Sequence, residues 1–414
     1  MTGEPAELEL LVRSAARADA GFRIIRHPVD SAALRYCPQR APEEQWEARP
    51  VDSSGSGEAG YLIKSKLTGS IVELSPRGWR LWQLMDGRHS VQELAATYFF
   101  EFGSLDFDEI RALINHLRDA GLIDAGCQVP WFVRRLSTSS RRSLAALARP
   151  APGFDWSLSY TNADALVERV HRAVAPLMFS APAFGICLLV VELGLYYFAS
   201  ATSLTSAALW GWAPLWQVLL LGYVAPLVLL ITPLHELAHA IVCKHHGRRV
   251  ASMGVHLVYG VFPLPYADVT DVWLAPGLAR VETYFAGPLS TLFVGSLAVL
   301  AHHVLPAGSW AAGWTLAVAL ASYAVAFVTL YPFFPVDNDG YYILSDLSRC
   351  FSLRAEANEF VNRGLPQALR QRRRLTRREW LYVAYSTATA MSAMAVMVGV
   401  GWGLSVVFIM AICG

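Results

Sequence analysis

The sequence predicts an α-helical polytopic membrane protein of about five transmembrane helices, preceded by a small α+β domain. Its 414 residues are 54% hydrophobic with a mean hydropathy of +0.35, too apolar for an ordinary soluble enzyme. The apolar residues gather in five runs of spanning length, at about 178–199, 213–243, 279–304, 313–333 and 380–412. The stretch 60–125 instead carries short strand and helix patterns punctuated by Gly and Pro. The formal charge of +1 leaves no global excess to attract nucleic acid.

Residues 1–59 form an N-terminal segment and linker. They have early acidic residues, no apolar core of the kind a signal peptide has, and one candidate strand at Phe22 to Arg26. They close in Ser53-Ser54-Gly55-Ser56-Gly57, a linker composition. Tyr61 to Lys64 and Ile71 to Leu74, joined through Thr68-Gly69, predict a β-hairpin. Ser75-Pro76 supplies an N-cap and a first-turn proline for a helix carrying Trp79, Leu81, Trp82, Leu84 and Met85 and ending at Gly87. Ser90 and Glu93 form a capping-box pattern for a second helix. A third runs from about Asp106 to Ala120, with Ile110, Leu113, Ile114 and Leu117 on one side and Gly121 as its stop. Two strands and three helices over 60–125 make a winged-helix-like domain. Acidic residues outnumber Lys and Arg between Tyr61 and Asp124, so a DNA-binding role ranks last.

Residues 126–177 read as a basic linker. Trp131 and Phe132 with Arg134, Arg135, Arg141, Arg142 and Arg149 suit anionic lipid headgroups. Ala163 to Leu177 is amphipathic, lying either in the membrane interface or packed as a soluble helix on the head. The membrane domain is 178–414. Segments 200–212 and 305–312 lack charge, whereas 244–249 and 349–378 are basic, so the positive-inside rule places the basic segments, and with them the N-terminal domain, in the cytoplasm. The second and fourth spans then end at the same leaflet. Gly254 to Tyr266, interrupted by Gly260, Pro263 and Pro265, is too broken to span and predicts a re-entrant or hairpin element whose edge strand can hold an extended substrate. The six cysteines are scattered without a C-x-x-C pair and are expected to be free thiols; Cys243 lies one turn beyond His239 but reads as a small apolar residue.

The second span carries His235-Glu236-Leu237-Ala238-His239. On a helix, positions i and i+4 project from one side, so both imidazoles can reach one metal ion. Glu236 sits beside them, placed to take the proton of a water that zinc acidifies from ~16 toward ~7. Ionisable groups at membrane depth cost roughly 3 kcal/mol each on insertion scales and mark function by default. A third ligand must come from another helix at the same depth, and Asp339, in the segment from Tyr331 to Tyr342 after the fourth span, is the best candidate.

At these residues the chain resembles the site-2 protease family of intramembrane zinc metalloproteases, and most closely its peptide zinc metalloprotease branch. Asp268-Val269-Thr270-Asp271-Val272-Trp273, Ala286-Gly287-Pro288-Leu289 and Asp339-Gly340-Tyr341-Tyr342, followed by Leu344 and Asp346, carry the resemblance. It implies a site-2-protease-like core in which His235, His239 and Asp339 hold Zn2+ and Glu236 is the general base. Tyr331 stands where the family has Asn, and Asp337 is a second carboxylate within reach; the match to D-G-Y-Y ranks Asp339 above Asp337, and both above Asp268. Gly287 and Pro288 are expected to permit close helix approach. The head, with Leu74-Ser75-Pro76, Leu84-Met85-Asp86-Gly87 and Ala120-Gly121-Leu122-Ile123, resembles PqqD-like peptide recognition elements. That resemblance implies capture of a leader peptide as a strand added beside the hairpin, against the third helix.

Together these resemblances imply a multi-pass cell-membrane zinc metallopeptidase that recruits a ribosomally made precursor and cleaves it near the inner face. Its partners are then a peptide or protein substrate, the lipid bilayer, and peptide-modifying or export proteins, with no nucleic acid. Two alternatives stay open: regulated cleavage of a transmembrane signalling protein, and a non-proteolytic role in peptide export or delivery.

Overall fold

A computed structural model of the chain describes residues 6–13, 22–29, 36–52, 59–103, 107–123, 156–160, 162–200, 224–258, 262–307, 309–350 and 352–413. The Ser53–Gly57 linker, the basic stretch from Trp131 to Arg149 and the upstream part of the expected second span, 213–223, lie outside them. The chain divides into two compact units, Met1–Pro150 and Ala151–Gly414.

In the first unit, β1 (Ala6–Arg13) and β2 (Phe22–Val29) pair antiparallel. A second antiparallel sheet has the order β3-β4-β5, built from β3 (Trp46–Asp52), β4 (Ala59–Ser65) and β5 (Ile71–Leu74). The expected hairpin is β4 and β5, and β3 is a strand that the sequence pattern hides. It alternates Trp46 and Ala48 with Glu47 and Arg49 but contains Pro50, which argues against a central strand and is tolerated here because β3 is an edge.

Three helices follow: α1 (Pro76–Leu84), α2 (Val91–Phe102) and α3 (Phe107–Asp119). The Gly78 N–H donates to Ser75 Oγ (3.0 Å), and the Ser90–Glu93 capping box forms in both directions. The helix α1 stops two residues earlier than Gly87, at a cap on Met85. Ile63, Trp82, Leu94, Tyr98, Ile110 and Leu117 form the core between sheet and helices, each almost fully buried. The head is thus a separate domain of strands and helices, the general architecture expected of the small α+β domain.

Among the described residues, the second unit holds five helices long and apolar enough to cross a membrane, at Ala181–Ala199, Leu227–His245, Gly277–Val304, Trp310–Leu330 and Arg377–Val398. It is a polytopic α-helical membrane region. A sheet of order β6-β7-β8 accompanies them, made of β6 (Trp156–Tyr160), β7 (Met253–Val258) and β8 (Phe262–Ala267). The hairpin expected between 254 and 266 is β7 and β8, and β6 joins it from a part of the chain that composition alone reads as linker.

In chain order the helices of this unit are α4 (Ala163–Met178), α5 (Ala181–Ser200), α6 (Thr232–His245, entered through a π-turn at Leu227–Ile231), α7 (Gly277–Val304), α8 (Trp310–Leu330), α9 (Asp339–Leu347), α10 (Leu353–Glu359), α11 (Leu365–Arg370) and α12 (Arg377–Cys413). The hub is α7, which packs against α5, α6, α8 and α9. The amphipathic α4 lies on α6, where Ala163 and Val167 are buried with Ala240, Cys243 and Val250. Lys244 Nζ at the end of α6 binds Asp164 Oδ1 (2.9 Å) and Glu168 Oε2 (3.3 Å) of α4. Cys243 therefore serves as a small core residue. Cys37, Cys187, Cys243 and Cys350 are all free thiols. The fourth helix ends at Leu330, three residues short of the expected 333, because Tyr331 turns extended ahead of Pro332.

Candidate metal centre

In α6, His235 and His239 stand one turn apart and both are buried. Their outer nitrogens are engaged. His239 Nδ1–H donates to the Thr283 carbonyl (2.6 Å), which can only accept. Thr291 Oγ1 donates to the Gly287 carbonyl (3.0 Å), so it accepts from His235 Nδ1–H at 2.9 Å. With both Nδ1 protons committed outward, the neutral rings turn their Nε2 lone pairs inward, the tautomer a metal ligand needs.

The inward nitrogens meet the Asp339 carboxylate. His235 Nε2 lies 3.1 Å from Oδ2 and His239 Nε2 3.3 Å from Oδ1. One ligand atom from each of the three residues falls within 4.8 Å of the others, which makes His235, His239 and Asp339 a group able to hold a metal ion. Zinc bonds of about 2.0–2.1 Å in tetrahedral array set neighbouring N and O ligand atoms roughly 3.3–3.4 Å apart, close to the spacings found. The donor set of two imidazoles and one carboxylate can hold a divalent metal ion, zinc among them.

Space for the two rings comes from α7. A Cβ on Gly287 would lie 2.3 Å from His239 Nε2 and 2.6 Å from His235 Nε2, so no side chain fits there. Thr283, Gly287 and Thr291 lie four residues apart on one face of α7. That polar and small stripe in an apolar helix is a signal for this wall of the site that the sequence reading passed over.

Asp339 does not extend α8. It opens the separate short helix α9, whose N-cap, Asn338, accepts the Tyr341 N–H on Oδ1 (2.9 Å). Asn338 Nδ2 donates to the Val328 and Tyr331 carbonyls (2.7 and 2.9 Å), which ties the start of α9 to the end of α8. Gly340 packs so tightly there that a Cβ would meet the Leu330 carbonyl oxygen at 2.2 Å. Tyr331, at the position where the resemblance implies Asn, donates or accepts through its hydroxyl with Ser392 of α12 (2.8 Å).

The intervening loop is held by Arg354. Its guanidinium donates to the Pro335 and Phe334 carbonyls (2.7 and 2.9 Å), pairs with Asp337 (2.7 Å) and lies 4.9 Å from the centre of the Tyr341 ring. Asp337 is thereby turned away as an exposed ion-pair partner, outside the His cluster. Asp268 is also engaged elsewhere, accepting the Thr270 N–H (3.1 Å) at the turn Thr270–Leu274. No pattern in the sequence singles out Arg354 from the basic residues around it.

Glu236 points to the hairpin. Its Oε2 accepts the Ala267 N–H of β8 (2.8 Å). Glu236 is thus beside the cluster without belonging to it.

Fold and site define a class: a polytopic helical membrane region with a buried His/His/Asp cluster, consistent with the site-2-protease-like superfamily, preceded in the chain by a separate α/β head. Residues 60–123 match the family model for coenzyme PQQ synthesis protein D (PqqD), so the head is PqqD-like. No curated protein and no solved structure matches the chain.

Two outcomes follow from this geometry, both read by metal analysis of the purified full chain. Asp339→Ala and Gly287→Ala lose most bound zinc while Asp337→Ala keeps it; the reverse ranking of the two aspartates reassigns the ligand. Arg354→Met, which frees the loop without touching a ligand, weakens zinc affinity about 10–100-fold in competition with a chelator, and unchanged affinity removes Arg354 from the support of the site.

Proposed function

We propose that this protein is a membrane-embedded zinc metallopeptidase that recruits a peptide, a ribosomally synthesised precursor by the PqqD-like head, and cleaves it near the cytoplasmic face. The observation that carries this reading is the convergence of His235 Nε2, His239 Nε2 and the Asp339 carboxylate beside Glu236. In this reading His235, His239 and Asp339 are the metal ligands and Glu236 is the general base. Zinc held there supplies Lewis acidity, polarising a scissile carbonyl and lowering the pKa of the attacking water. Glu236 keeps Oε2 on the Ala267 N–H, which leaves Oε1 to accept the proton and hand it to the leaving amine.

The strand order supports an extended substrate. With β6 covering β7, the edge of the sheet that packs beside α6 belongs to β8. The Ala267 N–H points from that edge to Glu236, and the Asp268 N–H faces the other way, to the Ser252 carbonyl (2.8 Å). Residues two apart in a strand turn the same way, so Pro263 and Pro265 face the open edge with Ala267. Neither has an N–H. The edge therefore accepts hydrogen bonds from a substrate strand and offers almost none, which also discourages edge-to-edge association.

In the head, both edges of β4 are already paired, by β3 and β5. A captured peptide cannot lie against β4, as the bare hairpin suggests, and must add to the outer edge of β3 or β5. The basic segments 244–249 and 349–378 support a cytoplasmic position for the site end of the bundle.

Glu236→Gln tests the chemistry, because the amide preserves the shape and the Ala267 contact but accepts no proton. Zinc content stays near one equivalent and peptide cleavage falls by at least about 100-fold; near-normal turnover removes Glu236 from the mechanism. Peptide capture is read by titrating residues 1–150 with the leader peptide encoded nearest the gene and mapping NMR shifts. Shifts belong to β3 or β5 and α3, whereas no binding up to ~1 mM, about 4 kcal/mol of affinity, leaves the head without a capture role.

A further inference from the structure

The first spanning helix carries a carboxylate that the metal centre does not use. Glu192 lies eleven residues after Ala181 and seven before Ala199 in a 19-residue span. At 1.5 Å per residue this is about 16 Å from one end and about 10 Å from the other. Helical side chains lean toward the N-terminus, so Glu192 leans away from the nearer end and a short carboxylate does not reach it.

Glu192 is exposed, and no hydrogen bond or ion pair joins it to a described residue. The same face shows Leu188, Leu189, Leu195 and Tyr196, all exposed, and Gly185, where an added Cβ would meet nothing. A glycine seven residues before the carboxylate leaves room for another helix to come close. The opposite face of α5 is committed. Gly194 meets α7 so closely that a Cβ would sit 2.3 Å from Ser296 Cβ, and Val191 is buried beside it. That contact prevents α5 from rotating to hide Glu192.

A bare carboxylate against acyl chains is costly, and a cation at the same depth relieves that cost. We propose that the exposed face of α5 is an intramembrane docking surface for a partner membrane protein whose spanning helix carries a Lys or Arg level with Glu192. Charge decides between occupants. In the described spanning segments of this chain, Lys and Arg occur only in terminal turns (Lys244, Arg280, Arg377, Arg378), so a second copy offers no such cation at mid-depth.

The test uses the full chain in lipid nanodiscs, labelled with a fluorescence donor. The probe is an acceptor-labelled synthetic Leu/Ala spanning peptide with one central Lys, and the control has Leu in its place. The wild type binds the Lys peptide at least tenfold more tightly than the control, Glu192→Leu reduces that ratio to about one, and Glu192→Gln falls between. Retained zinc stoichiometry in each variant shows that the bundle is intact. Equal binding of the two peptides by the wild type, or a ratio unchanged in Glu192→Leu, overturns the proposal. It is equally overturned if donor- and acceptor-labelled wild-type chains pair with each other and Glu192→Leu abolishes that pairing, because the occupant is then a second copy.

Discussion

Two hydrogen bonds, from His239 Nδ1–H to the Thr283 carbonyl and from His235 Nδ1–H to Thr291 Oγ1, set the condition on which the membrane unit depends. They place both imidazole protons on the outer nitrogens, and a neutral ring with its proton there has a free lone pair on the inner one. In a bundle interior this is a demanding arrangement, since any polar group left unpaired costs free energy. Both acceptors lie on α7, and the absent side chain of Gly287 lets α6 approach close enough for those bonds to form. The same helix, α7, also packs against α5, α8 and α9.

The third member of the cluster comes from a different kind of structure. A carboxylate at the end of a long apolar helix would be free to swing, whereas Asp339 begins a short helix pinned from three sides. Asn338 ties it to the end of α8, Gly340 seats it on the Leu330 carbonyl, and Arg354 braces the preceding loop. Asp339 is thus presented by a rigid corner, the kind of support that holds a ligand within a fraction of an ångström. The second carboxylate of that corner, Asp337, holds the bracing arginine.

The β-structure couples the site to its proposed substrate. Ala267 is at once the last residue of β8 and the donor that orients Glu236, so the strand edge and the proposed general base share one anchor. The two prolines of β8 leave an edge of carbonyls leading toward that point. In the head the same logic appears with a different outcome, because β3 occupies the edge that the hairpin alone would leave open.

Much of this was legible in the sequence because it depends on local rules. Helix periodicity puts His235 and His239 on one side, caps mark the ends of the head helices, and runs of apolar residues give the spans. The pairing of Asp339 with those histidines was legible only through resemblance to a known family, since nothing in spacing alone chooses it over Asp337. The tertiary structure decided what depends on contacts between distant segments. Such contacts revealed β3 as a strand despite Pro50, brought β6 from an apparent linker onto β7, detached Asp339 from α8 and assigned Arg354 its four contacts around the loop. Each depends on a hydrogen-bond or packing partner from 7 to about 100 residues away, and helix periodicity or a capping rule holds no record of which partner that is.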